Sequence, residues 1–250
     1  MAKNVMSHNL IIHEKSYKKK NLVSFIHKSR LRLIQKIFQK HVPIMEIIWA
    51  DFGCSNGFIA EEVVKTNKFN FSKIVGYDHV ESLLELARAK QIPRAEFKYF
   101  NMNKVNKVEE RFNLVTCFET LEHVGDYRNA FTNLFNHLDK NGILIITVPN
   151  ETGFIGLIKF FGRLVLRQNP YGEFFKEQSF IKYIKYLLKN DFIDIFRKPN
   201  QSGYGPHLGF DYRRLENYIS DNFIKSKHLE LIEKSFTGLK MNVIYVFKKI

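Results

Sequence analysis

The most informative chemistry lies in the stretch IWADFGCSNGFIAEEV, residues 47 to 62, where an apolar run ends at an acid and passes two glycines before a helical pattern begins. Gly53 and Gly57 permit unusual backbone dihedrals and leave room for a bulky ligand to approach the backbone. Asp51 could accept a hydrogen bond from a ligand ammonium group. Asp78 ends the next apolar run, where a carboxylate can bind both hydroxyls of a ribose. These residues together indicate a nucleoside-binding site.

The elements that must position these residues are strands and helices that alternate along the chain, as the spacing of the apolar residues indicates. Short apolar runs predict strands at 47–53, 73–78, 95–101, 112–119 and 142–150. Apolar spacings of three and four residues predict helices at 58–67, 80–90 and 126–142, the last with an Asn141-Gly142 stop. This alternation predicts an α/β fold with a doubly wound, Rossmann-like parallel sheet, which binds ligands at the carboxyl ends of its strands.

The C-terminal region distinguishes between two families with such sheets. Residues 228–236 and 241–249 are strand-like and are joined only by TGLK, which is too short for a crossover helix. They must therefore form an antiparallel hairpin, which gives a seven-stranded, mostly parallel sheet. A nicotinamide-dinucleotide fold is disfavoured because it lacks this hairpin and because DFGCSNG does not match G-x-G-x-x-G.

With these features, the chain resembles the class I S-adenosylmethionine-dependent methyltransferases. DFGCSNG, VGYD, FKYFNMN and FNLVTCFETLEHV are similar to four motifs of that family in the same order. EHV and TVPN are most similar to small-molecule members such as quinone-pathway and sugar O-methyltransferases. Ser55, Asn101 and Asn113 depart from the family pattern, which has glycine at the first position and commonly an acid at the other two.

The resemblance implies S-adenosyl-L-methionine as the cofactor and S-adenosyl-L-homocysteine as its product. It implies that Asp78 binds the ribose, that the side-chain oxygen of Asn101 meets the adenine amino group, and that Phe118 and Glu119 lie near the methionine moiety. Met102 would pack on the adenine ring or simply belong to the core. The full implied cofactor-binding set is Asp51, Gly53, Cys54, Ser55, Asn56, Gly57, Asp78, His79, Asn101, Met102, Asn103, Phe118, Glu119 and His123.

Methyl transfer to a hydroxyl also needs a base, and two histidines are candidates. His207 lies in the glycine-rich loop SGYGPHLGF, and His123 lies in LEHV, where it could instead serve the cofactor side. Candidate substrate residues are Tyr171, Tyr204, Arg213 and Arg214, with Phe174 and Phe210 as further aromatic candidates for the pocket lining. The arginines could clamp a phosphate or carboxylate, or could lie on a solvated helix face.

Four regions are predicted: a basic N-terminal helical lid at 1–46, the cofactor-binding core at 47–150, a helical cap insertion at 151–210, and a last helix with the hairpin at 211–250. The lid contains an amphipathic helix at 22–42. The cap contains helical runs at 153–168 and 173–190, of which the first, apolar and basic, could alternatively lie on a membrane surface.

Composition limits the remaining possibilities. The net charge of +14 comes from the two flanks, since residues 47–150 are nearly neutral. Such flanks favour an anionic partner, or reflect only compositional bias. Two cysteines, Cys54 and Cys117, are too few for a disulfide framework or a thiolate metal site, so we predict no metal. With no signal-peptide pattern or membrane span, we expect a soluble cytoplasmic enzyme.

The sequence thus predicts O-methylation of a small, polar, phosphate-bearing metabolite, such as a nucleotide-linked sugar in surface polysaccharide (carbohydrate) biosynthesis. Alternatives are an RNA- or protein-modifying methyltransferase, a methyltransferase of a quinone or lipid precursor, and a binding module without turnover. RNA modification would require a continuous basic strip, and no separate RNA-binding module is visible in the sequence. The acceptor is expected to be an anionic small molecule, with peripheral membrane contact as a further partner.

Overall fold

The computed structural model describes residues 22–42, 46–165, 179–189, 199–200, 203–204 and 210–250. Within them, seven strands form one sheet: β1 Ile47–Phe52, β2 Phe71–Asp78, β3 Ala95–Tyr99, β4 Phe112–Phe118, β5 Leu138–Pro149, β6 Leu229–Phe236 and β7 Asn242–Lys249. The strand order is β3-β2-β1-β4-β5-β7-β6. The first five strands pair in parallel, and β7 pairs antiparallel with both β5 and β6. This sheet confirms the predicted fold class, including the C-terminal hairpin.

Seven helices accompany the sheet in the described residues: α1 Leu22–His41, α2 Phe58–Val64, α3 Glu81–Ala89, α4 Tyr127–His137, α5 Gly153–Val165, α6 Phe180–Lys189 and α7 Tyr212–Ile219. We call α5 and α6 the cap helices. A π-helical turn, Ser220–Ile224, continues α7, and a short ladder pairs Pro199–Asn200 with Gly203–Tyr204. Asp126 and Asp211 cap α4 and α7, because each carboxylate accepts backbone N–H groups from the first turn.

The sheet is buried on both faces, as its continuous apolar strands require. On one face, Phe52 packs in a cluster with Leu134 of α4 and Leu215 of α7. On the other face, Trp49 packs with α1, and its ring centroid lies 5.4 Å from that of Phe38. The parallel strands therefore hold their carboxyl ends at one fixed edge of the sheet, where the candidate site lies.

The predicted boundary that differs most from the structure is the end of α4. The helix expected at 126–142 ends at His137, and β5 begins at Leu138. Asn141 has a φ of 61°, and a Cβ on Gly142 would lie 2.8 Å from Leu138 Cδ1, so the Asn-Gly pair turns the chain tightly inside the strand. It does not cap the helix, because Leu138 already pairs with Phe112.

Candidate cofactor site

The turn between β1 and α2 uses left-handed backbone at three positions. Gly53, Ser55 and Gly57 have φ values of 75°, 53° and 70°. A Cβ on Gly53 would lie 2.1 Å from Thr120 Oγ1, and one on Gly57 would lie 2.9 Å from Phe97 Cζ. The glycines therefore let the loops after β1 and β4 touch and let α2 approach β3.

Asp78 is held at the end of β2 by two backbone groups. The N–H of Ser55 donates to Asp78 Oδ2 at 2.9 Å, and the N–H of Val80 donates to Oδ1 at 3.0 Å. Each carboxylate oxygen retains capacity for a further donor, which is what two ribose hydroxyls would require. His79 is exposed, and its Nδ1 lies 3.6 Å from Asp78 Oδ1. The two acceptor oxygens of Asp78 therefore fit the hydroxyls of a nucleoside ribose.

Asp51 is buried at the end of β1, with a chain of hydrogen bonds behind it. Trp49 Nε1 donates to Thr116 Oγ1 at 2.8 Å, and that hydroxyl donates to Asp51 Oδ1 at 2.6 Å. Burial raises the pKa of Asp51 to about 7, the Thr116 hydrogen bond opposes this shift, and the nearby Asp78 charge adds to it. A cation bound here would therefore stabilise the ionised carboxylate.

The loop after β3 is fixed by a network of asparagines. Asn101 Oδ1 accepts from the N–H of Asn103 at 3.0 Å and from its side-chain amide at 3.1 Å. Asn103 Oδ1 in turn accepts from the N–H of Gly125 at 2.7 Å. Met102 lies in the core cluster beside this loop. The network joins the loop after β3 to the loop after β4.

Buried Asn133 on α4 also fixes the loop after β3. Its amide donates to the carbonyls of Met102 at 3.3 Å and Lys104 at 2.7 Å. Its side-chain oxygen accepts from the N–H of Asn106 at 2.9 Å. Three hydrogen bonds from one side chain therefore set the backbone path of the segment predicted to meet adenine.

The loop after β4 places an acid-rich turn at the same edge. Glu119 has a φ of 50°, and its N–H donates to the carbonyl of Thr147 at 3.0 Å. Glu122 is fully buried, while His123 is half-exposed with Nε2 3.9 Å from Glu122 Oε1. Phe118 is buried at the end of β4. Thr120 of this loop lies against Gly53, and His123 follows three residues later.

The predicted cofactor residues thus follow four adjacent strand ends, and three of the loops touch one another. Cys54 lies inside the glycine turn, but burial raises the pKa of its thiol and of Cys117 well above the ordinary value. Both thiols are therefore expected to be protonated and unreactive at neutral pH. Asn56 lies in the same turn, half-buried. The cofactor role of each of these residues stays a prediction.

The predicted substrate residues are more dispersed. Arg213 donates from Nε and Nη2 to the buried carboxylate of Asp211 at 2.9 and 2.7 Å. Tyr186 of α6 also donates to Asp211, at 3.2 Å. Arg214 lies on the same helix, and Phe210 is buried in the core cluster. Tyr204 lies in the short ladder, while Tyr171, Phe174 and His207 lie outside the described residues.

Sequence reasoning missed Thr116, Thr120, Asn133 and Asp211. Threonine in a strand and asparagine in a helix carry no signal of their own, because their partners lie 27 to 67 positions away. Across the described part of the chain there is no group of three or more His, Cys, Asp or Glu side chains suited to a metal ion.

The order of this sheet, with its antiparallel hairpin and a glycine turn and ribose-type acid at neighbouring strand ends, defines the Rossmann-like methyltransferase class. Solved structures share this fold. One is magnesium protoporphyrin IX methyltransferase from Synechocystis PCC 6803 with bound S-adenosylhomocysteine, at a TM-score of 0.63 and 13% identity over 98% of this chain and 95% of that one. Another is an S-adenosylmethionine-dependent methyltransferase from Clostridium acetobutylicum, at 0.57 and 14% over 100% and 99%.

Sequence comparison gives the family. The methyltransferase domain family matches residues 23–201, and this chain belongs to it. The predicted enzyme class is thereby confirmed: the protein is an S-adenosylmethionine-dependent methyltransferase.

Two curated relatives are O-methyltransferases. The chain is 21% identical to malonyl-[acyl-carrier protein] O-methyltransferase of Bacillus anthracis over 75% of this chain and 74% of that protein. It is 29% identical to ubiquinone biosynthesis O-methyltransferase of Rickettsia akari over 48% of this chain and 47% of that protein. The chain thus spans about half the length of the second relative.

Proposed function

We propose that this enzyme methylates an oxygen atom of a small acceptor that has a substantial apolar part, such as an aromatic ring or an acyl chain. The observation that carries the proposal is that three cations beside the cap, Lys159, Arg163 and Arg213, are already paired with buried acids of the same chain. These three side chains are therefore not free to bind an anionic acceptor.

The bound cofactor would supply an activated methyl group on sulfur, so the protein has mainly to position its partner and exclude water. Asp78 is suited to accept from two ribose hydroxyls because its oxygens are already oriented by Ser55 and Val80. Asp51 is suited to an ammonium group. Asn101 and Met102 occupy the segment expected at the adenine.

A hydroxyl acceptor must also lose a proton as the new bond forms. His123 is a candidate because it is partly exposed and belongs to the same loop as Thr120, which contacts the glycine turn. The buried Glu122 carboxylate lies 3.9 Å from its Nε2 and could orient the imidazole. His207 stays the second candidate on sequence grounds.

The ion pairs around the cap support an acceptor without phosphate. Arg213 binds Asp211 with two donors, and Lys159 and Arg163 bind the buried Glu151 at 3.1 and 2.7 Å. A phosphate would have to break such pairs and leave a buried carboxylate alone, which is strongly unfavourable. The cap helices instead meet through Phe160, Tyr183, Tyr186 and Leu187. The O-methyltransferase relatives support the same acceptor class.

The nucleotide-linked sugar predicted from the sequence is the second candidate. The net charge of +14 favours it, because a basic protein raises the local concentration of anionic substrates. The positive net charge would also favour RNA modification, but that function predicts that RNA binding weakens steeply as the salt concentration rises.

A methyl-transfer screen tests these candidates together. Purified enzyme with S-adenosylmethionine would be offered polyprenylated phenols, acyl thioesters, nucleotide sugars and RNA, and adenosylhomocysteine release would be measured. We expect release with the first two classes and none with the Asp78→Ala variant, which should lose cofactor binding in calorimetry. Asp139→Ala, an exposed aspartate, is the matched control. Turnover of nucleotide sugars or RNA alone would overturn the proposal, and cofactor binding without any turnover would favour a binding module.

A further inference from the structure

The cap helix α5 has its charged and apolar faces reversed relative to an ordinary surface helix. Both of its cations point inward: Lys159 and Arg163 bind Glu151, which is 1% exposed. Its outward face is apolar, with Phe154 73% exposed and Val165 81% exposed. The full exposed apolar set on α5 is Phe154, Ile158, Phe161, Leu164 and Val165. A helix facing water normally has the opposite arrangement.

Helix α6 extends this surface. It packs on α5 through Phe160 and Tyr183, whose ring centroids lie 5.9 Å apart, and it leaves Phe180, Ile181 and Leu188 exposed. We call the exposed apolar side chains of α5 and α6 together the cap face. Large apolar patches on soluble proteins mark sites of association.

Charge identifies what the cap face binds. Neither Gly153–Val165 nor Phe180–Lys189 contains an acidic residue, and Lys182 and Lys185 are exposed on α6. A second copy of the chain would bring these lysines together with like charge, in a protein whose net charge is already +14. Apolar side chains flanked by lysine instead match the interface of an anionic bilayer. No helix in the described residues is long and apolar enough to cross a membrane, so these helices would lie along its surface.

We propose that the cap face docks this enzyme on anionic phospholipid bilayers. Its aromatic and aliphatic side chains enter the boundary between headgroups and acyl chains, and Lys182 and Lys185 contact lipid phosphates. The proposal rests on the cap helices alone and does not depend on which acceptor the enzyme methylates.

Sedimentation of the full chain with lipid vesicles tests it. We expect binding to vesicles of phosphatidylcholine with phosphatidylglycerol and much weaker binding to phosphatidylcholine alone. Phe161→Ser with Leu164→Ser should lower the partition coefficient by about tenfold or more, because two apolar insertions are lost. Lys182→Ser with Lys185→Ser should lower it by roughly tenfold and reduce the preference for anionic lipid.

The chain offers a closely matched control. Leu86 on α3 and Leu164 on α5 are both helical leucines that are 46% exposed. Leu86→Ser should leave vesicle binding unchanged, while Leu164→Ser alone should weaken it several-fold. Thermal melting and adenosylhomocysteine calorimetry would verify that each variant is folded.

Three outcomes would overturn the proposal. The first is no binding of the unmodified chain to anionic vesicles at low salt. The second is binding that salt abolishes but that the Phe161 and Leu164 substitutions do not affect, since that would be nonspecific charge attraction. The third is a dimer in sedimentation equilibrium that the same substitutions dissociate, which would assign the cap face to a second copy.

Discussion

Asp51 changes charge in a pH range that an exposed aspartate does not reach. Burial raises its pKa from 3.8 to about 7, so at neutral pH about half of the molecules carry a neutral carboxyl there. A bound ammonium group favours the ionised form and lowers that pKa. If a ligand ammonium group binds here, its binding releases a proton in this range.

We expect adenosylhomocysteine binding at pH 7 to release roughly half a proton. Below pH 7 the affinity should rise with pH, because a proton must leave Asp51 first, and it should level off above about pH 8. Calorimetry in buffers of different ionisation enthalpy measures the released proton. Asp51→Asn should abolish both effects, and an unchanged proton release in that variant would assign it to another group.

His123 can be tested separately from the cofactor. If it removes the acceptor's proton, His123→Ala should lower kcat by about 10²- to 10⁴-fold while the affinity for adenosylhomocysteine changes little. His207→Ala provides the parallel test for the other candidate. Equal turnover of His123→Ala and the unmodified enzyme would leave the role to His207 or to no residue.

At the scale of single residues, the sequence predicts backbone-determined features better than partnerships. The glycines and the strand-end aspartates were identifiable because turns and strand ends restrict residue type. Arg213 was proposed for the substrate, yet it pairs with Asp211 two positions away. A local pattern allows both roles, and the tertiary contact of Tyr186 with the same Asp211 carboxylate supports the structural one.

Among the elements, α4 does more than cover the sheet, because its Asn133 supports the loop after β3. We expect Asn133→Ala to lower the free energy of unfolding by about 1–3 kcal/mol, since three backbone groups lose a hydrogen bond and the one to the Met102 carbonyl is buried. The affinity for adenosylhomocysteine should fall as well, because the segment near Asn101 and Met102 loosens. Urea unfolding and calorimetry measure the two effects.

Asn136 provides the control for this prediction, being a half-buried asparagine on the same helix. Asn136→Ala should leave the cofactor affinity unchanged. If Asn133→Ala lowers the stability but retains full affinity for adenosylhomocysteine, the role of Asn133 is purely structural.

Element types were predictable where the apolar period was clear, and the strands and the hairpin confirm this. The end of α4 was mispredicted because Asn-Gly is equally typical of a helix stop and of a tight turn within a strand. Which of the two occurs depends on the pairing of Leu138 with Phe112, and that pairing joins distant parts of the chain.

At the scale of the whole molecule, the C-terminal hairpin completes the sheet. Its inner strand β7 is buried between β5 and β6, whereas β6 forms the sheet edge. Ile244 on β7 is fully buried and Ile232 on β6 is 39% exposed. Ile244→Ala should destabilise the protein by about 2–5 kcal/mol and Ile232→Ala by less than about 1 kcal/mol. Equal losses in urea unfolding would contradict this account of the hairpin.

The position of β7 in the sequence also determines when the sheet can be completed during folding. Of the seven strands it is the last in the chain, yet it must settle beside β5, which the ribosome has released long before. Until then β5 presents a free row of backbone groups, and open rows of this kind recruit other polypeptides. The sheet is therefore completed late in biosynthesis. Until β7 has been synthesised, the nascent chain needs its exposed β5 edge protected from pairing with other chains.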